Sequence, residues 1–196
     1  MQFKETKKFI LQKLKKELPK HLSYHSVGHI KDVYEACKML AKEEGVNKQD
    51  LNLLLTAALF HDAGFLVQQK EHEKISCDIA KKHLPDFGYL PEQIELICGM
   101  IMATRIPQTP HNLLEEIIAD ADLDYLGRDD FFIIGNKLFD ELSMYGMLNT
   151  EDEWNNLQVR FLEKHHYFTK SAIRLRKAKK EEHLSIIKSK LNSLPA

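Results

Sequence analysis

Ten histidines among 196 residues exceed what packing alone asks of a chain this size, and two placements among them could do chemistry. His25 and His29 are four residues apart, so a helical backbone there would project both from one face, one turn apart. His61 and Asp62 are adjacent at the end of an apolar run, where an ionised carboxylate is costly unless it is paired or bound to a cation. Imidazole and carboxylate are natural ligands for a first-row divalent ion, and helical neighbours about 100° apart can take adjacent coordination positions. Further on, Asp120, Asp122 and Asp124 occupy alternate positions in Ala-Asp-Ala-Asp-Leu-Asp-Tyr. Carboxylates this close repel one another unless some face water and at least one faces a cation. Taken singly, each of these side chains could equally serve packing or the surface.

The elements that must position them read as helices, because apolar residues recur at helical spacing and no stretch keeps a period of two; the fold class is all-α. Phe3, Ile10, Leu11, Leu14 and Leu18 stripe a first helix, over 1–18, that stops at Pro19. Val27, Ile30, Val33, Tyr34, Cys37, Leu40 and Ala41 stripe a second, ending at Gly45, a residue suited to a left-handed cap. Asn47 caps a third, from about Lys48 to Phe60, apolar nearly all round and therefore buried; it delivers His61-Asp62-Ala63-Gly64. A fourth helix runs from near Glu71 to before Pro85, and Pro91 opens a fifth through Ile94, Ile97, Cys98 and Ile101. Residues 103–112, with two prolines and no periodicity, form a loop. The next helix, from Leu113, delivers the three aspartates. Another spans about 129–147, and a capping box at Thr150 and Glu153 opens one through Trp154, Leu157, Phe161 and Leu162. From Lys170 onward the chain is charged, with a weak Leu175, Leu184, Ile187, Leu191 stripe that could pack on a partner or back on the core.

Composition narrows the classes. Lys plus Arg number 28 against 29 Asp plus Glu, with 43% apolar and 9% aromatic residues, as expected of one globular domain whose core needs no disulfide or structural metal. Cys37, Cys77 and Cys98 are odd in number and never spaced Cys-x-x-Cys, which disfavours a disulfide framework and a zinc finger and fits a reducing, cytoplasmic setting. No run of about 18 apolar residues occurs and the first twenty residues are Lys-rich, so secretion and membrane spanning are disfavoured. Charge is uneven: residues 1–20 hold seven Lys and two Glu, and residues 170–196 hold eight Lys or Arg and two Glu, leaving 13 basic and 25 acidic residues between. An acidic centre suits a cation. The basic ends could attract phosphate or simply face water.

The strings Tyr24-His25-Ser26-Val27-Gly28-His29, Leu59-Phe60-His61-Asp62-Ala63-Gly64 and Ile118-Ala119-Asp120-Ala121-Asp122-Leu123, in that order in a helical chain, resemble the HD (His-Asp) superfamily of metal-dependent phosphohydrolases. The resemblance spans about residues 22–135. It implies a single globular HD-domain helical bundle over 1–196, with the 1–18 helix before that core and a helical extension, 150–196, after it. It also implies His29, His61, Asp62 and Asp122 as the ligands of one divalent metal ion, Mn, Fe, Co, Ni, Zn or Mg, imidazole weighing against Mg as the tightest binder. Asp120 and Asp124 are rivals to Asp122, which the family's pattern of Ala-Asp followed by Leu favours.

The reaction the resemblance implies is hydrolysis of a phosphoester of a small phosphorylated compound, a nucleotide being the first expectation, by attack of a metal-bound water. Monoesterase and diesterase are not separated. Asp62 would be both a ligand and an acceptor for the water proton. His25 resembles the histidine that some members use as an acid for the leaving oxygen; otherwise it bonds backbone at a helix start. Members with two metals place a ligand near His72 and further histidines near Thr104, where this chain has Ala103-Thr104-Arg105, so one metal is expected, with His72 and Glu73 positioning water. Glu73 would also suit a helix N-terminus by its charge. Arg105, at the start of the Pro-containing loop, is the best-placed cation for a phosphate. His83, His111, His165, His166 and His183 lack motif support and read as surface or packing residues.

Two other classes stay in view. A di-iron oxygenase of this fold needs extra histidines, against which Thr104 argues. A non-catalytic metal- or nucleotide-binding regulatory domain would keep the ligands without turnover. Nucleic-acid binding is weaker, since no recognition motif accompanies the basic tail. Oligomeric state is not readable from the residues.

Overall fold

Helical periodicity is realised along residues 1–192, which the computed structural model describes: nine α-helices and, among the described residues, no strand. The last four residues of the expected 150–196 extension lie outside the described residues. The helices are α1 (Phe3–Glu17), α2 (Val27–Glu43), α3 (Lys48–Phe60), α4 (His72–His83), α5 (Pro91–Ala103), α6 (Leu113–Asp122), α7 (Phe131–Met144), α8 (Glu151–Lys164) and α9 (Lys170–Asn192), with short 3-10 turns at Ala63–Leu66, Leu84–Phe87 and Asp124–Gly127. The fold class is all-α.

Local chemistry sets the boundaries. Asn47 accepts from the N–H groups of Gln49 and Asp50 at 2.9 and 3.0 Å, and Asn112 does the same for Leu114 and Glu115. Thr150 and Glu153 cap each other's backbone N–H as a box. Gly45 ends α2 at φ +71°, a region where a side chain is disfavoured. The helix expected over 129–147 is shorter at both ends: Asp130 is held by Arg128 at 2.7 Å before α7, and Gly146 turns the chain at φ +68° after it.

The apolar α3 is the hub. Its last eight residues, Leu53 to Phe60, are all buried, with α1, α2, α5 and α6 packed around it. Each buried Leu or Phe contributes about 1.5–3 kcal/mol, which offsets part of the cost of ordering the helix. A second cluster, Tyr24, Leu123, Tyr125, Leu126, Phe131, Leu162 and Ile187, ties α7, α8 and α9 to the end of α6. No Cβ fits at Gly127, which lies against the backbone of Arg176 in α9.

The basic tail packs back on the core. Ala172, Lys180, His183 and Ile187 of α9 are buried. Arg176 binds Asp124, Arg174 binds Glu43 at 2.6 Å and Lys188 binds Glu163 at 2.6 Å, so part of the C-terminal positive charge neutralises the acidic middle of the chain. Lys180, only 7% exposed, donates to the carbonyls of Leu162 and His165, carbonyls that the end of α8 leaves without helical partners. No helix of the described residues is long and apolar enough to cross a membrane.

Candidate metal centre and adjoining cavity

Three helix termini meet at the centre of the chain's acidic half. The first turn of α2 presents His29, the C-terminal end of α3 presents His61 and Asp62, and the last residue of α6 is Asp122. His29 Nε2 lies 3.0 Å from Asp122 Oδ1 and 3.3 Å from His61 Nε2; His61 Nε2 lies 3.3 Å from Asp122 Oδ1. These three side chains could hold a metal ion, their donor atoms all lying within 4.8 Å of one another. Asp62 Oδ2 lies beside them, 3.2 Å from His61 Nε2 and 3.4 Å from His29 Nε2.

The separations suit one shared cation. Donors about 2.1 Å from an ion stand about 3.0 Å apart at right angles and about 3.4 Å apart at a tetrahedral angle. His61 Nδ1–H donates to the carbonyl of Ala58 at 2.9 Å, which turns the Nε2 lone pair of the neutral ring into the cluster. Asp62 Oδ2 is buried and has no hydrogen-bond partner among the described residues, an orphan that a cation would satisfy. Burial opposes charge on His61, yet Asp62 and Asp122 override it and raise its pKa well above the ordinary value. Burial likewise opposes ionised Asp62 and Asp122, and the facing histidines hold both well below the usual carboxylate range. The field of these carboxylates calls for positive charge at this point.

The rivals of Asp122 are engaged elsewhere. Asp120 accepts from the N–H of Phe168 and Thr169 at 2.8 Å each and from Thr169 Oγ1 at 2.7 Å, anchoring the start of α9; burial pushes its carboxyl up to about 6. Asp124 takes Arg176 Nε at 2.7 Å and Arg128 Nη1 at 3.4 Å.

The remaining sequence candidates surround the cluster. His72 Nε2 lies 3.4 Å from Asp62 Oδ1 and 3.6 Å from Glu73 Oε1, while its Nδ1–H donates to the Gln69 carbonyl at 3.1 Å. Burial opposes charge on His72, and Asp62 and Glu73 override it to raise its pKa. No Cβ fits at Gly64, where the 3-10 turn crosses the His72 backbone, and its N–H donates to Ser76 Oγ at 2.8 Å. His25 is not a helical partner of His29, because α2 begins at Val27 with Ser26 as its cap. It stands ahead of the helix, stacked on Phe65 at 4.1 Å, with Nδ1 bound to Glu141. Arg105 is exposed and makes no ion pair among the described residues.

His25, Asp62, His72, Glu73, Arg105 and Asp122 share the lining of one cavity of about 710 Å³. Lys70 joins them, and a wall from α7 and α8 closes the other end. Sequence reading missed Glu141, Lys70 and that wall. Only a carboxylate at helical spacing in an otherwise apolar α7 stripe hinted at Glu141.

The family model described as HD domain matches residues 27–124, half of the chain, and contains His29, His61, Asp62 and Asp122 in family order. The chain belongs to the HD domain family. An uncharacterized protein of Clostridium beijerinckii is 33% identical over 86 residues, 41% of this HD-domain chain, which spans about half (53%) of that relative's length. The HD-domain fold is shared with Bacillus subtilis YpgQ in complex with ADP (TM-score 0.68, 17% identity, 100% of this chain and 99% of that one). It is shared too with a Lactobacillus plantarum protein (TM-score 0.71, 20% identity, 98% of each chain). A predicted HD superfamily hydrolase from an uncultured Thermotogales bacterium aligns at TM-score 0.64 and 18% identity, over 94% of this chain and 91% of that one. His25 and Glu141 both lie outside the matched HD segment, as does the cavity wall beyond Tyr125.

Proposed function

We propose that this HD-domain protein is a metal-dependent phosphohydrolase that cleaves a phosphoester of a small phosphorylated compound, a nucleotide. The observation that carries this reading is the convergence of His29 Nε2, His61 Nε2, Asp62 Oδ2 and Asp122 Oδ1, the two imidazoles 3.3 Å apart and each 3.0–3.4 Å from both carboxylates, on a cavity of nucleotide-sized volume. The ADP bound by YpgQ, a protein of the same fold, accords with a nucleotide.

A divalent ion held by these four residues would lower the pKa of water and offset negative charge on a phosphoryl group. Asp62 keeps Oδ1, on the side of His72, to accept the proton that the attacking water loses. His72 and Glu73 orient that water. His25, its Nδ1 held by Glu141, offers Nε2 to deliver a proton to the leaving oxygen. Arg105 and Lys70, exposed cations on the cavity lining, bind phosphoryl oxygens.

The test is phosphate release from nucleoside mono-, di-, tri- and cyclic phosphates by purified protein supplied with Mn or Co. Turnover that Asp62→Ala abolishes, with helical content intact by circular dichroism, is the expected result. Binding of metal and nucleotide without turnover would instead make the chain a regulatory domain, and two irons per chain with oxygen uptake would make it an oxygenase.

A further inference from the structure

The two ends of the cavity differ in chemistry. Every ionisable group on its lining other than Tyr side chains comes from residues 25–122, on the metal side. Beyond Tyr125 the wall is built by α7, α8 and their connection, chiefly Leu138, Leu142, Met147, Trp154, Leu157 and Phe161, with no charged side chain among them. Only two side chains there carry hydrogen-bonding atoms: Trp154, through its indole N–H, and Gln158, one turn further along α8. Gln158 is 8% exposed, and its one side-chain hydrogen bond among the described residues is a long one, 3.4 Å from Nε2 to Asn155 Oδ1. A buried carboxamide so weakly engaged, on an apolar wall, is available to a ligand.

We propose, resting on the phosphohydrolase reading, that this end of the cavity seats the base of a nucleotide and that Gln158 reads the hydrogen-bonding edge of that base. A flat, uncharged ring suits walls of Leu, Met and aromatic side chains, and base–aromatic stacking favours it over a sugar or a second phosphate. A carboxamide presents a donor and an acceptor side by side, the complement of the paired donor and acceptor on a base edge. A purely aliphatic group would fill the apolar volume but leave Gln158 buried without a partner. Gln158 is thus a specificity-determining residue, remote from the bond that breaks.

Trp154 is the only tryptophan in the chain, so its emission reports on this end of the cavity. The full chain as purified is titrated with adenosine, guanosine, cytidine and uridine, which carry no phosphate, and with dodecyl phosphate as the aliphatic comparison. Nucleosides quench Trp154, with one base preferred by about tenfold or more. Gln158→Leu brings the bases within about threefold of one another and lowers kcat/KM for the preferred nucleotide by about 10- to 100-fold. Gln158→Glu, which exchanges the amide donors for an acceptor, changes the order of preference; unchanged circular dichroism verifies folding of both variants. Quenching by dodecyl phosphate but by no nucleoside overturns the proposal, as does a base order identical in all three proteins. Base-dependent quenching without phosphate release from any nucleotide would leave the base site standing and remove the hydrolase. Phosphate release indifferent to the base and to Gln158 would do the reverse.

Discussion

Glu141 grips His25 from 116 residues away: one carboxylate oxygen binds His25 Nδ1, and the other accepts from the backbone N–H of Tyr24 at 2.9 Å and of His25 at 3.1 Å. Burial opposes charge on Glu141, but His25 and these two N–H groups hold its pKa below the ordinary value. The three contacts fix a ring that no helix carries.

Glu141→Gln keeps an acceptor for the backbone but weakens the hold on the ring. It should lower kcat about 10- to 100-fold with a smaller change in KM. His25→Ala should lose as much, and the double variant no more than His25→Ala alone, because one residue acts through the other. Steady-state phosphate release measures all three; additive losses would separate Glu141 from His25.

Among the three aspartates, Asp122→Asn should abolish stoichiometric metal, measured by elemental analysis after loading with Mn. Asp120→Asn and Asp124→Asn should retain it. Each of those two should instead cost about 1–3 kcal/mol of stability in urea, because Asp120→Asn leaves the Phe168 and Thr169 donors just before α9, and Asp124→Asn leaves Arg176 of α9, without their charged acceptor.

Chelation should lower the melting temperature and Mn should restore it, since an ion bound only by the folded state stabilises by about 2.7 kcal/mol at a hundred times its Kd. A melting curve indifferent to chelator and to Mn would remove the shared ion.

The pH dependence has a second source, far from the metal. Burial first, and then the Lys180 ammonium, push His165 down to about 3, and its Nε2 is buried with no partner among the described residues. In the unfolded chain the same ring titrates near 6.5. Between these values the unfolded chain binds a proton that the folded one does not, so this contribution is complete above pH 6.5 and is lost as pH falls toward 3. From pH 7 to pH 5 the loss is at most about 2 kcal/mol. Urea midpoints at pH 5, 6 and 7 should show it, and His165→Gln should shrink the difference.

Gly64→Ala places a Cβ against the backbone of His72, which cannot yield as a side-chain tip could. We expect a loss of more than about 2 kcal/mol together with lower metal occupancy, because the 3-10 turn joins Asp62 to α4. A thermal melt and a metal titration check both parts.

Much of this was legible beforehand for local reasons. The stripe of α2, the all-round apolarity of α3, the Asn47 and Thr150 caps and the stop at Gly45 each depend on neighbours within a few residues, where periodicity and capping chemistry act. The ligand residues were legible as types at helix ends. Asp120, Asp122 and Asp124 were not separable by their own spacing, because what distinguishes them is the partner each meets: Thr169, the histidine pair, or Arg176. The tail's eight positive charges read as an end that could attract phosphate or simply face water, yet Arg176 and Lys180 are held by Asp124 and by the end of α8.

By itself, then, the order of amino acids determined an all-α chain and, through its resemblance to the HD superfamily, four candidate ligands, because helix formation is local and the ligand chemistry is carried by residue type. Only the tertiary structure decided which aspartate faces the histidines, that Glu141 orients His25, and that α7 and α8 wall the cavity. Those outcomes depend on contacts between residues about fifty to more than a hundred positions apart, whose geometry is set by how whole helices pack and not by any pattern within one of them.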